Sequence, residues 1–138
     1  MRRNWVVIRT LLEHFEKEDI LDYLKEEANR FQYDSTRTEA DNKKAEAEAG
    51  SAADQTFGHL LLLMDAELVE GVVSLVPTMT GWHYTMRNPR LTMKGHDTLD
   101  AIRSDTVWNE VKKRAADAAL PVTLELILAV LRRLSLLA

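Results

Sequence analysis

The sequence predicts a mostly α-helical α+β domain with a single β-hairpin. Apolar residues recur at helical spacing over most of the chain. One segment rich in β-branched residues, Leu68–Val76, is followed by a turn and by a loosely alternating segment, Trp82–Thr92, and together they predict two paired strands. Hydrophobic residues make up 46% of the 138 residues, which is enough for one core, so wholesale disorder is not expected.

Two helices are predicted at the start of the chain. The spacing of apolar residues predicts the first over residues 4–17, with Asn4 as its N-cap, and the second over about 19–29. The side of the second helix that is expected to be buried consists of Ile20, Leu21, Leu24 and Ala28.

The middle of the chain is polar and rich in alanine. It is interpreted as a solvated helix over about 37–49 that ends near Gly50. Ser51 is then expected to cap a separate helix with a broad apolar face, which should stop around Glu67 before the hairpin begins. The helices predicted after the hairpin cover about 93–103, with Thr92 as N-cap, 105–118 and 122–136.

A helix that runs directly into a two-stranded hairpin, with more helix after it, is the element order of a winged helix, in which the hairpin is the wing. We therefore expect residues 1–119 to form a winged-helix-like domain. Residues 120–138 are expected to form a C-terminal extension helix that packs on this domain or pairs two copies of the chain.

Two segments carry a family resemblance. His59–Gly71 (HLLLLMDAELVEG) and Arg90–Trp108 (RLTMKGHDTLDAIRSDTVW) resemble the signature blocks of a family of short bacterial and phage proteins, domain of unknown function 2513. The opening MRRNWVVIRTLLEHFE resembles the N-terminal helix of that family. The family usually has glycine at the position of Glu67, where a positive φ would end the helix. The resemblance implies a winged-helix-like fold and implies no activity.

Net charge and cysteine content limit the function classes. The formal net charge of −4 counts against non-specific nucleic-acid binding, although it is compatible with a local basic patch. The absence of cysteine excludes disulfides and thiolate metal sites and fits a reducing cytoplasm, which is the expected location. No targeting segment is expected, and Glu125, Arg132 and Arg133 make a membrane span a poor interpretation of residues 120–138.

Catalytic and metal sites find little support. His96 and Asp100 are four residues apart on one predicted helix, but two ligands do not make a metal site, so no metal and no cofactor are expected. An enzyme is the least expected class because no nucleophile motif and no glycine-rich phosphate loop occurs. Gly95 has two interpretations: close approach of another backbone, or a small anion site beside Lys94 and Arg90.

DNA binding depends on where the cations lie. The helix before a wing usually enters the major groove, but here Ala52–Asp65 contains no lysine or arginine and carries Asp54 and Asp65. The candidate nucleic-acid-binding residues therefore lie around the wing and ahead of that helix: His83, Arg87, Arg90, Lys94, Arg37, Lys43 and Lys44. The alternative is that these are ordinary solvated charges.

The last predicted helix has a broad apolar stripe, which is either the cover of the chain's own core or a surface for a second copy. A homodimer is expected, with the candidate interface residues Leu124, Ile127, Leu128, Val130, Leu131, Leu134 and Leu137.

Two functional hypotheses follow. The first is a DNA-binding regulatory or accessory factor associated with phage or mobile DNA. The second is a protein-interaction module, such as a homodimeric adaptor, that keeps the fold without binding DNA. The acidic helix before the hairpin favours the second hypothesis, and the common use of the fold favours the first.

Overall fold

The computed structural model describes the backbone of residues 1–137 and the side chains of residues 1–134, and this part of the chain forms six helices and a two-stranded antiparallel sheet. The elements in chain order are α1 (Trp5–Glu16), α2 (Ile20–Ala28), α3 (Glu39–Asp65), β1 (Val69–Thr78), β2 (Gly81–Leu91), α4 (Met93–Arg103), α5 (Asp105–Asp117) and α6 (Leu124–Leu137). The predicted class, mostly helical α+β with one hairpin, is confirmed. None of the described helices is both long and apolar enough to cross a bilayer.

One core joins all of these elements. Leu11 and Leu12 of α1 are fully buried against the C-terminal half of α3 and against α4, where Leu60 and Leu99 are also fully buried. The second helix contributes less than its sequence predicts. Only Ile20 and Leu24 of its expected apolar side are buried, while Leu21 and Ala28 are exposed.

The predicted break at Gly50 is wrong, because α3 is one continuous helix of 27 residues with Gly50 in its interior. Its N-cap is Thr38, whose Oγ1 accepts a hydrogen bond from the Asp41 N–H at 3.1 Å, so Ser51 caps nothing. An interior glycine costs about 1 kcal/mol relative to alanine, whereas two new helix ends would leave up to eight backbone groups without helical partners. The alanine, glutamate and lysine residues around Gly50 are strong helix formers, so the helix continues.

A Schellman motif ends α3 immediately before the hairpin. Glu67 has a left-handed φ of 60°, and the Leu68 N–H donates to the Leu63 carbonyl at 2.9 Å. Glutamate therefore adopts here the conformation for which the resembled family usually has glycine. Glu18 and Ala119 end α1 and α5 in the same way.

The backbone of Leu68 also holds the far end of the hairpin. Its carbonyl accepts a hydrogen bond from the Thr92 N–H at 3.0 Å, and the Thr92 hydroxyl donates to the Glu67 carbonyl at 2.7 Å. A Cβ added at Gly95, in the first turn of α4, would lie 2.0 Å from the Leu68 oxygen. This confirms close backbone approach as the role of Gly95, whose N–H is already bonded to the Thr92 hydroxyl.

The last helix packs on the chain's own core. Ile127 and Val130, two of the residues predicted for a dimer interface, are fully buried against neighbouring helices, so they serve the internal packing that the sequence left open. Leu124, Leu128, Leu131 and Leu134 are half-buried, and the side chain of Leu137 lies outside the described residues. The Val122 carbonyl just before α6 accepts hydrogen bonds from Trp5 and Arg3 of the N-terminal segment.

Replacing Gly95 with alanine should destabilise the fold strongly, because the new methyl group meets a backbone oxygen that cannot move without breaking the Thr92 hydrogen bond. The expected loss in the free energy of unfolding is about 3 kcal/mol or more. The matched control is Gly50→Ala, where nothing lies near the new methyl group and a gain of about 0.5–1 kcal/mol is expected. Urea denaturation measures both variants, and a Gly95→Ala variant as stable as the parent chain would contradict the close approach.

Replacing Glu67 with glycine should stabilise the protein by about 0.5–1 kcal/mol, because glycine adopts a left-handed φ without steric cost. Glu46→Gly, at an exposed position inside α3, should instead destabilise it by about 1 kcal/mol. Thermal unfolding distinguishes the two variants. Equal destabilisation by both would show that Glu67 is not strained.

Candidate nucleic-acid interface

The inner face of the hairpin packs against α3. The ring of Phe57 on α3 stacks on Trp82 with a centroid distance of 5.5 Å and contacts Tyr84 at 5.4 Å. The Trp82 indole N–H donates to the Asp54 carboxylate at 2.8 Å, and Leu75 of β1 is buried. The hairpin is thus held firmly along one side, and its other side faces solvent.

A bulge at the base of the hairpin determines which cations face outward. Along β2, exposed residues alternate with half-buried ones as far as Arg87. Asn88 then has a left-handed φ of 49°, and the register shifts opposite Gly71 on β1. In a regular strand, residues three apart lie on opposite faces. Because of this shift, Arg90 is exposed like Arg87 although the two residues are three apart. A Cβ at Gly71 would lie 2.6 Å from the Cα of Pro89, so the bulge needs glycine on its partner strand.

Four of the seven predicted nucleic-acid-binding residues therefore share one region. His83, Arg87 and Arg90 lie on the exposed side of β2, and Lys94 follows in the first turn of α4. Arg90 forms an ion pair with Glu70 across the hairpin, and His83 contacts the Thr80 hydroxyl. Among the described residues, Arg87 and Lys94 have no acidic partner within ion-pair distance.

The other three predicted residues lie apart, at the start of α3. Arg37 donates to the Gln32 carbonyl at 2.7 Å, Lys43 is 3.9 Å from Glu39, and Lys44 is exposed. The ring contacts with the hairpin begin ten or more residues further along α3, a distance of about 15 Å or more. The surface around these cations also carries the exposed carboxylates of Asp41, Glu46 and Glu48. The structure therefore does not bring these three cations together with those of the hairpin.

The helix that precedes the hairpin belongs to the core. Thr56, Phe57, Leu60 and Leu63 of this part of α3 are buried. The charges that it exposes, Asp54 and Asp65, are both acidic and would be repelled by phosphate. This segment therefore lacks the groups that a helix needs for entering the major groove, as its sequence predicts.

His59 is a structural residue that sequence reasoning did not assign. Its ring is fully buried, with Nε2 accepting from the Asn4 N–H at 2.8 Å and Nδ1 donating to the Gln55 carbonyl at 2.7 Å. Both bonds require a neutral imidazole. Together they connect the start of α1 to α3. The sequence around His59 gives no signal of this role, because the N–H that bonds its ring belongs to Asn4, 55 residues earlier in the chain.

Asn42, in the first turns of α3, has a comparable role, because it holds the loop between α2 and α3. Its buried side-chain amide accepts from the Asp34 N–H at 3.1 Å and donates to the Asp34 carbonyl at 2.9 Å.

In the described part of the chain, no three His, Asp or Glu side chains are arranged to hold a metal ion. A cavity of about 300 Å³ between α1, α3 and α6 is lined mainly by apolar side chains, with Arg3 and Asp65. No serine, threonine, histidine or lysine is among the described residues that line it.

The described features define a small, mostly helical α+β protein with one hairpin face open to solvent. The chain belongs to the family described as "Hypothetical protein (DUF2513)", whose profile matches residues 2–121, and this confirms the resemblance seen in the sequence. An uncharacterized protein of Haemophilus influenzae is 26% identical over 134 residues, covering 92% of this chain and 89% of the relative. No solved structure matches the chain. The family match ends before α6, although α6 packs into the same core.

Replacing His59 with alanine should lower the free energy of unfolding by about 2–4 kcal/mol, because it leaves a cavity and removes the acceptor for the Asn4 N–H. The control is His96→Ala, on the exposed face of α4, which should change stability by less than about 0.5 kcal/mol. Urea denaturation of both variants provides the comparison. Similar effects at the two positions would contradict the structural role of His59.

Proposed function

We propose that this protein is a non-enzymatic, winged-helix-like factor, associated with phage or mobile DNA, that contacts double-stranded DNA through its hairpin. The observation that carries the proposal is the outward placement of Arg87 and Arg90 on β2, continued by Lys94 at the start of α4. The helix before the hairpin takes no part in contact with DNA, because its exposed charges are acidic.

The geometry suits contact with phosphates. A two-stranded ribbon is narrow enough to enter a DNA groove or to lie across the backbone. From His83 to Arg90 the strand extends over about 23 Å, so its cations can reach several phosphates. With three cations in contact, the logarithm of the binding constant should fall with the logarithm of salt concentration with a slope of about −2.7. Such binding is weak and does not depend on sequence.

The distribution of charge along the chain supports this orientation. Residues 82–138 carry nine lysine and arginine residues against six aspartate and glutamate residues, whereas residues 1–81 carry nine against sixteen. The overall negative charge therefore comes from the part of the chain before β2. The residues proposed to contact DNA thus belong to the part of the chain with an excess of cations, which favours attraction of a duplex.

Replacing Arg87 with alanine should weaken binding to a random-sequence duplex and make the salt slope less steep by about 0.9, because one phosphate contact is lost. Lys25→Ala is the matched control, since it removes one exposed cation from α2 and should leave the slope unchanged. Fluorescence anisotropy over a salt series measures both. The proposal is overturned if the parent chain does not bind even at low salt, or if the two variants lose affinity equally.

The alternative is a protein-interaction module that uses the same face of the hairpin. The observation that favours it is the exposure of Val73, Val76 and Met79 on β1 and at the turn. Apolar side chains in such a position suit a protein surface, and the partner proposed is a second copy of the chain.

The substitution Val76→Lys distinguishes the two functions, because Val76 lies opposite His83 in the hairpin register. If the face contacts DNA, the added cation should tighten binding. If it contacts a second copy, the parent chain should be a dimer in light scattering and the variant a monomer. A monomeric parent chain would contradict the alternative.

A further inference from the structure

A groove of about 420 Å³ lies between α4 and α6. Lys94 and Asp97 line it from α4, and Arg132 lines it from α6, above the half-buried side chains of Leu128 and Leu131. Lys94 follows the end of β2 by three residues in the chain, which links the groove to the hairpin through the start of α4. We infer that Lys94 and Arg132 together hold a backbone phosphate of the DNA, which makes α6 part of the contact surface. This inference rests on the proposed function.

The two cations of this groove differ from the arginines near them. Arg103 is held between Glu16 and Asp100, and Arg114 is paired with Glu110. Within the described side chains, Lys94 and Arg132 form no ion pair, and both are exposed. Their charges are therefore available to an anion outside the chain.

Both cations stand on rigid elements. The start of α4, which carries Lys94, is locked to Leu68 by the close approach of Gly95 and by the Thr92 hydrogen bonds. The position of α6 is fixed by the complete burial of Ile127 and Val130. Binding a phosphate here would cost little backbone entropy, because the helices that carry the two side chains are already ordered.

The groove also contains an opposing charge. The carboxylate of Asp97 lines the same space, so it should repel a bound phosphate and reduce the affinity of the site. This predicts opposite effects of removing the cation and removing the acid, which a general loss of stability would not produce.

The neighbouring arginine provides a matched control. Arg133 is exposed like Arg132 but does not line the groove. It lies near Glu110, the pKa of whose carboxyl group is lowered chiefly by its hydrogen bond with Arg114 and further by the charge of Arg133. The substitutions Arg132→Ala and Arg133→Ala thus remove the same charge from adjacent positions on two different faces of α6.

The test is anisotropy with the full chain and a random-sequence duplex in about 50 mM salt, where one lost phosphate contact weakens binding about tenfold. Arg132→Ala should show this loss, Arg133→Ala less than about a twofold change, and Asp97→Asn tighter binding. Circular dichroism should show unchanged folding, because all three side chains are exposed.

Equal losses for the two arginine variants, or no gain from Asp97→Asn, would overturn the inference. If Arg87→Ala still weakened binding in that case, the proposed hairpin contact would stand without a contribution from α6. Absence of any binding by the parent chain would overturn both.

Discussion

The close contact between the backbone at Leu68 and the first turn of α4 is the constraint on which the rest of the structure depends. At this point the end of α3, both ends of the hairpin and the start of α4 meet. Glu67 turns the chain by taking a left-handed φ, and Gly95 allows the Leu68 carbonyl to approach. These contacts hold the two ends of the hairpin together at its base. The hairpin then packs on α3 with its inner face, and its outer face is exposed to solvent.

The same junction governs the electrostatics of the proposed contact surface. Lys94 follows directly from the locked Thr92, so its place relative to the cations of β2 does not depend on a flexible loop. The bulge opposite Gly71 brings Arg90 to the same side as Arg87. Glu70 of β1 pairs with Arg90, so among the described residues the hairpin cation without an acidic partner is Arg87.

Local patterns were good predictors of where elements begin. Asn4 and Thr92 each accept hydrogen bonds from the first turn of the helix that they precede, because capping depends on a side chain and its immediate neighbours. Local patterns gave a wrong prediction at Gly50 and Ser51, because glycine is common after the end of a helix and serine is common at an N-cap, yet α3 continues through both. Such a pair interrupts a helix only if the cost of an interior glycine exceeds the cost of the backbone hydrogen bonds that a break would remove.

Apart from the continuity of α3, the sequence by itself determined the elements, their order, the cations of β2 and the family, because these follow from neighbouring residues and from motif identity. Only the tertiary structure decided the role of His59, since its partner Asn4 is 55 residues away. Asn42 and Arg37 bond residues only eight and five positions away, but these bonds depend on how the loop between α2 and α3 folds, which no helical pattern indicates. The tertiary structure also decided that α6 buries Ile127 and Val130 within its own chain. An apolar stripe shows that a helix must be covered, whereas the surface that covers it is set by the packing of the whole fold.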